Sequence, residues 1–252
     1  MSNKFVEIIP ILKDRYSYVL VNEGNTYLID AGDYEDVYEF LKKKDIHLDY
    51  ILCTHYHSDH IDGIAELKKN FNCKVYGPKD FKIKAIDSFF EIDQNTLFHE
   101  TIDVIPTPGH TKEHLIYYFK LGNILFSGDL LFGGGCGKVF EGTYSEMLNS
   151  LKKLKKLPED TLIYFGHEYT VKNLEFAHSI EPNNEDVIVR LNKARNKIKK
   201  GNFTVPSTLS DELNTNPFLR TDCESLKKNI NMLKSSELEV FTHLRKLKDE
   251  FR

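Results

Sequence analysis

The run Thr54-His55-Tyr56-His57-Ser58-Asp59-His60 packs three imidazoles and a carboxylate into six residues. Imidazole and carboxylate together are the ligands of a divalent transition metal. A single His in a polar loop is ordinarily a solvated residue. Three beside an Asp have no packing rationale, and protonated they would repel one another, so the cluster reads as a metal site. Three more candidates follow at a distance: His110, Asp129 and His167. His55 and His57 are two apart, so in an extended segment they project to the same side, while Asp59 and His60 fall in the next turn. This division assigns His55, His57 and His110 to one ion and Asp59, His60 and His167 to a second, with Asp129 bridging them. The donors are all nitrogen and oxygen, a set that suits Zn, Fe or Mn. Two such cations about 3.5 to 4 Å apart bring a shared water to near-neutral pKa, so the expected nucleophile is a bridging hydroxide with no separate general base.

The elements that must position these residues follow from the pattern. Short β-branched and aromatic runs predict strands at Phe5 to Ile9, Ser17 to Asn22, Thr26 to Asp30, Tyr50 to Cys53, Lys74 to Gly77, Thr101 to Pro106, Leu115 to Lys120, Asn123 to Ser127 and Thr161 to Phe165. Helical spacing predicts helices at Asp33 to Lys44, Gly63 to Phe71 and Ser145 to Leu154, which together with the strands indicates an α/β or αββα layering. His55 to His60, His110, Asp129 and His167 each come within a few residues of the carboxyl end of a strand. In strands running the same way, that collects all seven at one edge, where open α/β sheets place their sites. Asp30 ends a strand as well, and is expected to orient a metal-bound His from behind.

Past Tyr169 the strand-like runs disappear, and helical spacing continues through Val187 to Ile198, Leu226 to Leu233 and Leu238 to Phe251. Gly201 stands where a helix C-cap belongs, and Ser236 with Glu239 forms a capping-box pattern. The organisation expected is a catalytic domain over 1–170 and a helical domain over 171–252.

Of the 252 residues 40% are hydrophobic and 29% charged, enough apolar material for a sizeable core, and the net charge of -4 lacks the basic footprint of a nucleic-acid binder. No run approaches the roughly 18 apolar residues of a membrane span. The cysteines Cys53, Cys73, Cys136 and Cys223 have no C-x-x-C spacing and read as free thiols of a reducing compartment, so a cytoplasmic location is expected; a monomer is expected as well, though no residue pattern specifies it. Gly133-Gly134-Gly135-Cys136-Gly137-Lys138 is not a phosphate loop, because Phe132 occupies the first glycine position and no Ser or Thr follows the Lys. Cys136 lacks an unclaimed His partner and is not taken as a nucleophile.

Thr54-His55-x-His57-x-Asp59-His60, Pro108-Gly109-His110-Thr111, Gly128-Asp129 and Gly166-His167-Glu168-Tyr169 resemble, in order, the motifs of the metallo-β-lactamase superfamily, and specifically of glyoxalase II, hydroxyacylglutathione hydrolase. Gly135-Cys136-Gly137-Lys138, Glu141-Gly142, Thr204 to Leu209, Asn216-Pro217-Phe218 and Arg245 to Asp249 resemble segments of that enzyme itself, so the likeness covers nearly the whole chain.

The resemblance implies an α+β fold, an αββα sandwich with a C-terminal helical domain. It also implies two divalent metal ions, Zn first, and hydrolysis of S-D-lactoylglutathione to D-lactate and glutathione in methylglyoxal detoxification. A thiolate leaving group, with a free-thiol pKa of roughly 8.5, needs no strong general acid. The glutathione-binding set it implies is Lys138, Phe140, Tyr169, Arg245 and Lys248. Arg245 and Lys248, three apart on one helix, share a face suited to gripping a carboxylate. Phe140 departs from the Tyr of animal members, and the missing hydroxyl contact predicts weaker binding by about 0.5 to 1.5 kcal/mol. The alternative is a persulfide dioxygenase with a single iron, which shares the histidine run but lacks the extended helical part.

Overall fold

The computed structural model describes residues 6–90, 96–99 and 101–251, which divide into two compact units. One holds the residues up to Pro106 together with Glu113–Gly122, and the other Thr107–Lys112 together with Asn123 onward.

The first unit begins with a meander of β1 (Val6–Ile11), β2 (Arg15–Asn22) and β3 (Asn25–Ile29). Helix α1 (Tyr34–Lys43) leads to β4 (Tyr50–Leu52), and the short α2 (Ser58–Ile61) with α3 (Ile64–Phe71) leads to β5 (Lys74–Pro78), beside which lies β6 (Ser88–Phe90). The sheet order is β1-β2-β3-β4-β5-β6, with β3, β4, β5 and β6 mutually parallel. Parallel strands need crossover connections, which α1 supplies between β3 and β4 and α3 between β4 and β5, while β5 reaches β6 through a loop without a helix. Helix α1 starts at Asp33, whose side chain accepts the N–H of Asp36, and carries Glu35 and Asp36 in its first turn and Lys42 and Lys43 in its last, in the sense its dipole favours. Its buried Val37 and Leu41 pack with Ile64 and Leu67 of α3 on Leu28, Ile51 and Val75 of the sheet. Strands β7 (Thr96–Phe98), β8 (Ile102–Pro106) and β9 (Leu115–Phe119) follow, paired antiparallel in that order.

The second unit opens with β10 (Ile124–Gly128) and a hairpin of β11 (Leu131–Phe132) and β12 (Gly135–Cys136), then α4 (Tyr144–Leu154) and β13 (Leu162–Phe165). The helices α5 (Thr170–Ile180) and α6 (Glu185–Lys199) come next, followed by the short β14 (Ser207–Thr208), α7 (Leu209–Thr215), α8 (Glu224–Asn229) and α9 (Glu237–Glu250). Strand β13 lies parallel to β10 and antiparallel to β14. The expected box at Ser236 and Glu239 is formed at the start of α9, and Gly201 follows the end of α6 at φ +73, a conformation that glycine adopts at no steric cost. Phe218 stacks on Phe176 with centroids 6.1 Å apart and meets Phe241 edge to face at 5.8 Å, and the three rings join the helices through an aromatic core.

The nine anticipated strands are present, shifted at their ends by up to two residues; Phe5, the start of the first, lies outside the described residues. Five strands of two or three residues, β6, β7, β11, β12 and β14, were not anticipated, and β14 corrects the expectation that strands end before Tyr169. Helix α5 was missed because its buried face carries the polar Thr170 and Asn173 among Leu174, Phe176, Ala177 and Ile180, which thins the apolar stripe. No helix among the described residues is long and apolar enough to cross a membrane.

Candidate functional site

In the first unit β3 and β4 run parallel and release their chains at the same edge. From that edge come Asp30, at φ +55, and the Thr54–His60 run. Asp30 is buried and organises what surrounds it. Its Oδ1 accepts the Thr54 N–H at 2.8 Å, and its Oδ2 accepts the Thr54 hydroxyl at 2.8 Å and His60 Nδ1–H at 2.8 Å. Because the Thr54 proton is spent on Asp30, its oxygen accepts His55 Nδ1–H at 3.0 Å. Both imidazoles are thereby held with the proton on Nδ1, and each presents Nε2 as its basic nitrogen. His55 Nε2 stands 3.0 Å from His57 Nδ1, and the His55 and His60 rings are 4.2 Å apart. Two nitrogens on one tetrahedral ion, with bonds of roughly 2.0 Å, sit about 3.3 Å apart, so His55 and His57 fit a shared cation. Asp30, expected to orient a histidine from behind, holds His60 in this way. His114, also buried, lies with its ring 5.1 Å from His55.

Asp59 lies in the first turn of helix α2 beside His60, and its Oδ2 accepts from Arg15 Nε at 2.6 Å. Sequence reasoning missed Arg15. Its role depends on a contact across 44 residues, and nothing local signals it.

In the second unit the parallel pair β10 and β13 brings Asp129 and His167 to one edge, with Asp129 Oδ2 3.3 Å from His167 Nε2. His110 joins them, its Nε2 3.4 Å from the same oxygen and its Nδ1–H donated to Lys138 O at 2.8 Å. One buried carboxylate oxygen thus faces two imidazole nitrogens, an arrangement suited to a group placed between two cations. Gly137 makes this possible by close approach, since a Cβ there would stand 2.0 Å from Asp129 O and 3.0 Å from His110 Nδ1.

The residues expected to bind substrate fall in the same unit. The Tyr169 ring stacks on His167 with centroids 4.7 Å apart, and the exposed Phe140 meets His110 edge to face at 5.3 Å. Lys138 is exposed, its Nζ 5.6 Å from the Phe140 ring. Arg245 is only 5% exposed. Its guanidinium donates to Cys136 O at 2.9 Å and to Asp249 Oδ1 at 2.9 Å, and stacks 5.0 Å over Phe218. Lys248, half-buried, sits between the Phe176 and Phe251 rings, and burial followed by repulsion from Arg245 and Lys172 brings its pKa down to about 8. The two side chains share a face of α9, as expected, but the Arg245 head turns inward to the glycine-rich loop. Burial pushes the Cys136 thiol up to about 11, which removes it as a nucleophile. The four cysteines are free thiols.

Residues 12–167 match the description of the metallo-beta-lactamase superfamily, and residues 168–251 match that of the hydroxyacylglutathione hydrolase C-terminus. A hydroxyacylglutathione hydrolase of Bartonella tribocorum is 42% identical over 244 residues, which span 95% of this chain and 96% of the relative. Among solved structures, the BLEG-1 B3 metallo-beta-lactamase superposes with a TM-score of 0.64 at 23% identity, over 85% of this chain and 99% of that one. TTHA1623, solved in a di-iron-bound form, superposes with a TM-score of 0.62 at 25% identity, over 85% of this chain and all of that one, 100%.

Proposed function

The chain belongs to the hydroxyacylglutathione hydrolases of the metallo-beta-lactamase superfamily, and on that premise we propose that it hydrolyses S-D-lactoylglutathione and related 2-hydroxyacyl thioesters to the hydroxy acid and glutathione. The reading rests above all on the likeness to named hydrolases, which runs through the C-terminal helices as well as the metal motifs. The superfamily motifs alone would leave the substrate open.

Its site, on this proposal, holds two divalent ions: His55, His57 and His110 on one, Asp59, His60 and His167 on the other, and Asp129 between them. The donors fit such ions. Thr54, Asp30 and Lys138 O take the Nδ1 protons of His55, His60 and His110, so each offers Nε2, and carboxylates supply charge without any thiolate. Zinc is our first choice, and Fe or Mn suits the same donors. When bound, a pair of such ions supplies a hydroxide nucleophile near neutral pH and a Lewis-acid hold on the thioester oxygen.

The chain's own residues do the rest. Tyr169 and Phe132 pack on His167 and restrict its ring. Lys138 and Lys248 supply cations for the carboxylates of the tripeptide, Tyr169 a hydroxyl, and Phe140 an apolar wall. Arg245 enters this set with its guanidinium already engaged on Cys136 and Asp249. The division at residue 170 into a catalytic and a helical substrate-binding part, a monomeric state and a cytoplasmic site of action complete the proposal, with neither nucleic acid nor membrane as partner. One purified sample tests it through metal content and thiol release from lactoylglutathione. Two equivalents of metal with thiol release are expected. Oxygen uptake on glutathione persulfide without thioester cleavage would overturn the reading.

A further inference from the structure

The turn between β11 and β12 and the residues after it are gripped by side chains from the C-terminal helices. Glu212 on α7 is fully buried, and its Oε2 accepts the Gly134 N–H at 2.9 Å and Asn216 Nδ2–H at 3.0 Å. Asn216 Nδ2 also donates to Gly135 O at 2.9 Å and Phe132 O at 3.4 Å. Asn173 on α5 donates to Gly133 O at 3.2 Å, and Arg245 on α9 donates to Cys136 O. Arg190 on α6 balances the Glu212 charge at its other oxygen. A buried turn must satisfy its backbone polar groups within the protein, but neutral acceptors suffice for that. A carboxylate with no solvent exposure is a costly choice unless a position has to be held firmly.

The position in question lies at the end of the loop. Gly137 rests against Asp129 O, and Lys138 O accepts His110 Nδ1–H at 2.8 Å. A shift of the loop would carry both contacts with it.

We propose that Glu212, acting with Asn216, is a positioning residue that fixes the loop from Gly133 to Lys138 so that the Lys138 carbonyl holds His110 as its Nδ1–H tautomer, with Nε2 directed at Asp129. The Asn216-Pro217-Phe218 segment thereby acquires a role at the site without touching substrate. The inference rests on the reading of His110 as a metal ligand.

The test uses the full chain carrying Glu212→Leu or Glu212→Gln, with Glu181→Gln as the control. Glu181 is a comparably buried carboxylate, paired with Arg220 at 2.9 Å, and makes no hydrogen bond to the loop. Amide hydrogen exchange over residues 133–138 and the 15N signature of His110 are recorded on metal-free protein, and zinc affinity is measured by chelator competition. Glu212→Leu is expected to speed loop exchange about tenfold or more, mix the His110 tautomers and weaken zinc by about 10- to 100-fold. Glu212→Gln, which keeps one acceptor oxygen, should fall between it and wild type, and it carries the comparison alone if the Leu variant does not fold. Glu181→Gln should lower the thermal midpoint and leave the other readouts unmoved. Unchanged exchange and tautomer in a folded Glu212 variant, or equal changes in the control, would overturn the proposal. Failure of wild type to bind zinc would overturn the metal reading instead, while the two metal-free measurements still judge the loop.

Discussion

Arg15 Nε lies 2.6 Å from Asp59 Oδ2, so the carboxylate in the first turn of helix α2 is already half of an ion pair. On the proposed assignment Asp59 is also a ligand of the second ion. A guanidinium there takes up one lone pair and adds a like charge beside the cation, and both effects weaken binding.

Replacing Arg15 should therefore strengthen the second site. The pair is partly exposed, at 30% and 21% for its two side chains, so its influence is modest, about 1 kcal/mol, or roughly a fivefold change. In Arg15→Met the more weakly held ion should persist to about fivefold higher chelator concentration, as followed by metal analysis during titration. A weaker second site in that variant would mean that Arg15 orients Asp59 for the ion.

Asp30→Asn tests the other carboxylate behind the histidines. The left-handed backbone at this position, φ +55, tolerates Asn as it does Asp. What changes is the hydrogen bonding, because an amide NH2 replaces one carboxylate oxygen and sets a donor against either the Thr54 N–H or the Thr54 hydroxyl and His60 Nδ1–H. Metal affinity should fall about 10- to 100-fold, with kcat/KM following at limiting metal. Chelator titration checks this, and an unaltered affinity would show that His60 needs no anionic partner.

The sequence makes the ligand run plain because the residues that carry chemistry stand beside the local signals that place them. His55 to His60 follow a β-branched strand, and His110, Asp129 and His167 each follow another. What it hides is tertiary. Nothing near Glu212 tells that its carboxylate will meet a glycine 78 residues earlier. Arg245 and Lys248 occupy one face of a helix, yet a carbonyl 109 residues away turns Arg245 inward while Lys248 stays half-buried. Strands β11 and β12, two residues each, are too short for any alternation to show and owe their pairing to the turn between them.

Lys248 should impose a pH dependence on binding and on stability. Its pKa of about 8 lies below the 10.5 of a free lysine, because burial penalises the charge. As pH rises through 8 the ammonium is lost from the proposed glutathione site, so KM should increase while kcat stays nearly level. The stability sign is opposite to that of a salt-bridged lysine. Between about pH 8 and 10.5 the unfolded chain binds more protons than the folded one, so this group's contribution to stability rises with pH across that window. Lys248→Met should flatten the KM profile and remove the rise from denaturant midpoints measured between pH 7.5 and 10.

Phe140 offers the cleanest gain-of-contact experiment. It is 58% exposed with its ring edge to face with His110, so a hydroxyl added at the para position goes onto a side chain open to solvent. One new hydrogen bond to the bound tripeptide is worth about 0.5 to 1.5 kcal/mol, so Phe140→Tyr should lower KM by about two- to tenfold. Because the contact is remote from the bond that breaks, it stabilises ground and transition states alike, and kcat should hold. Steady-state kinetics on lactoylglutathione decide the matter. A fall in kcat with unchanged KM would place Phe140 against His110 in a metal-positioning role and remove it from the glutathione site.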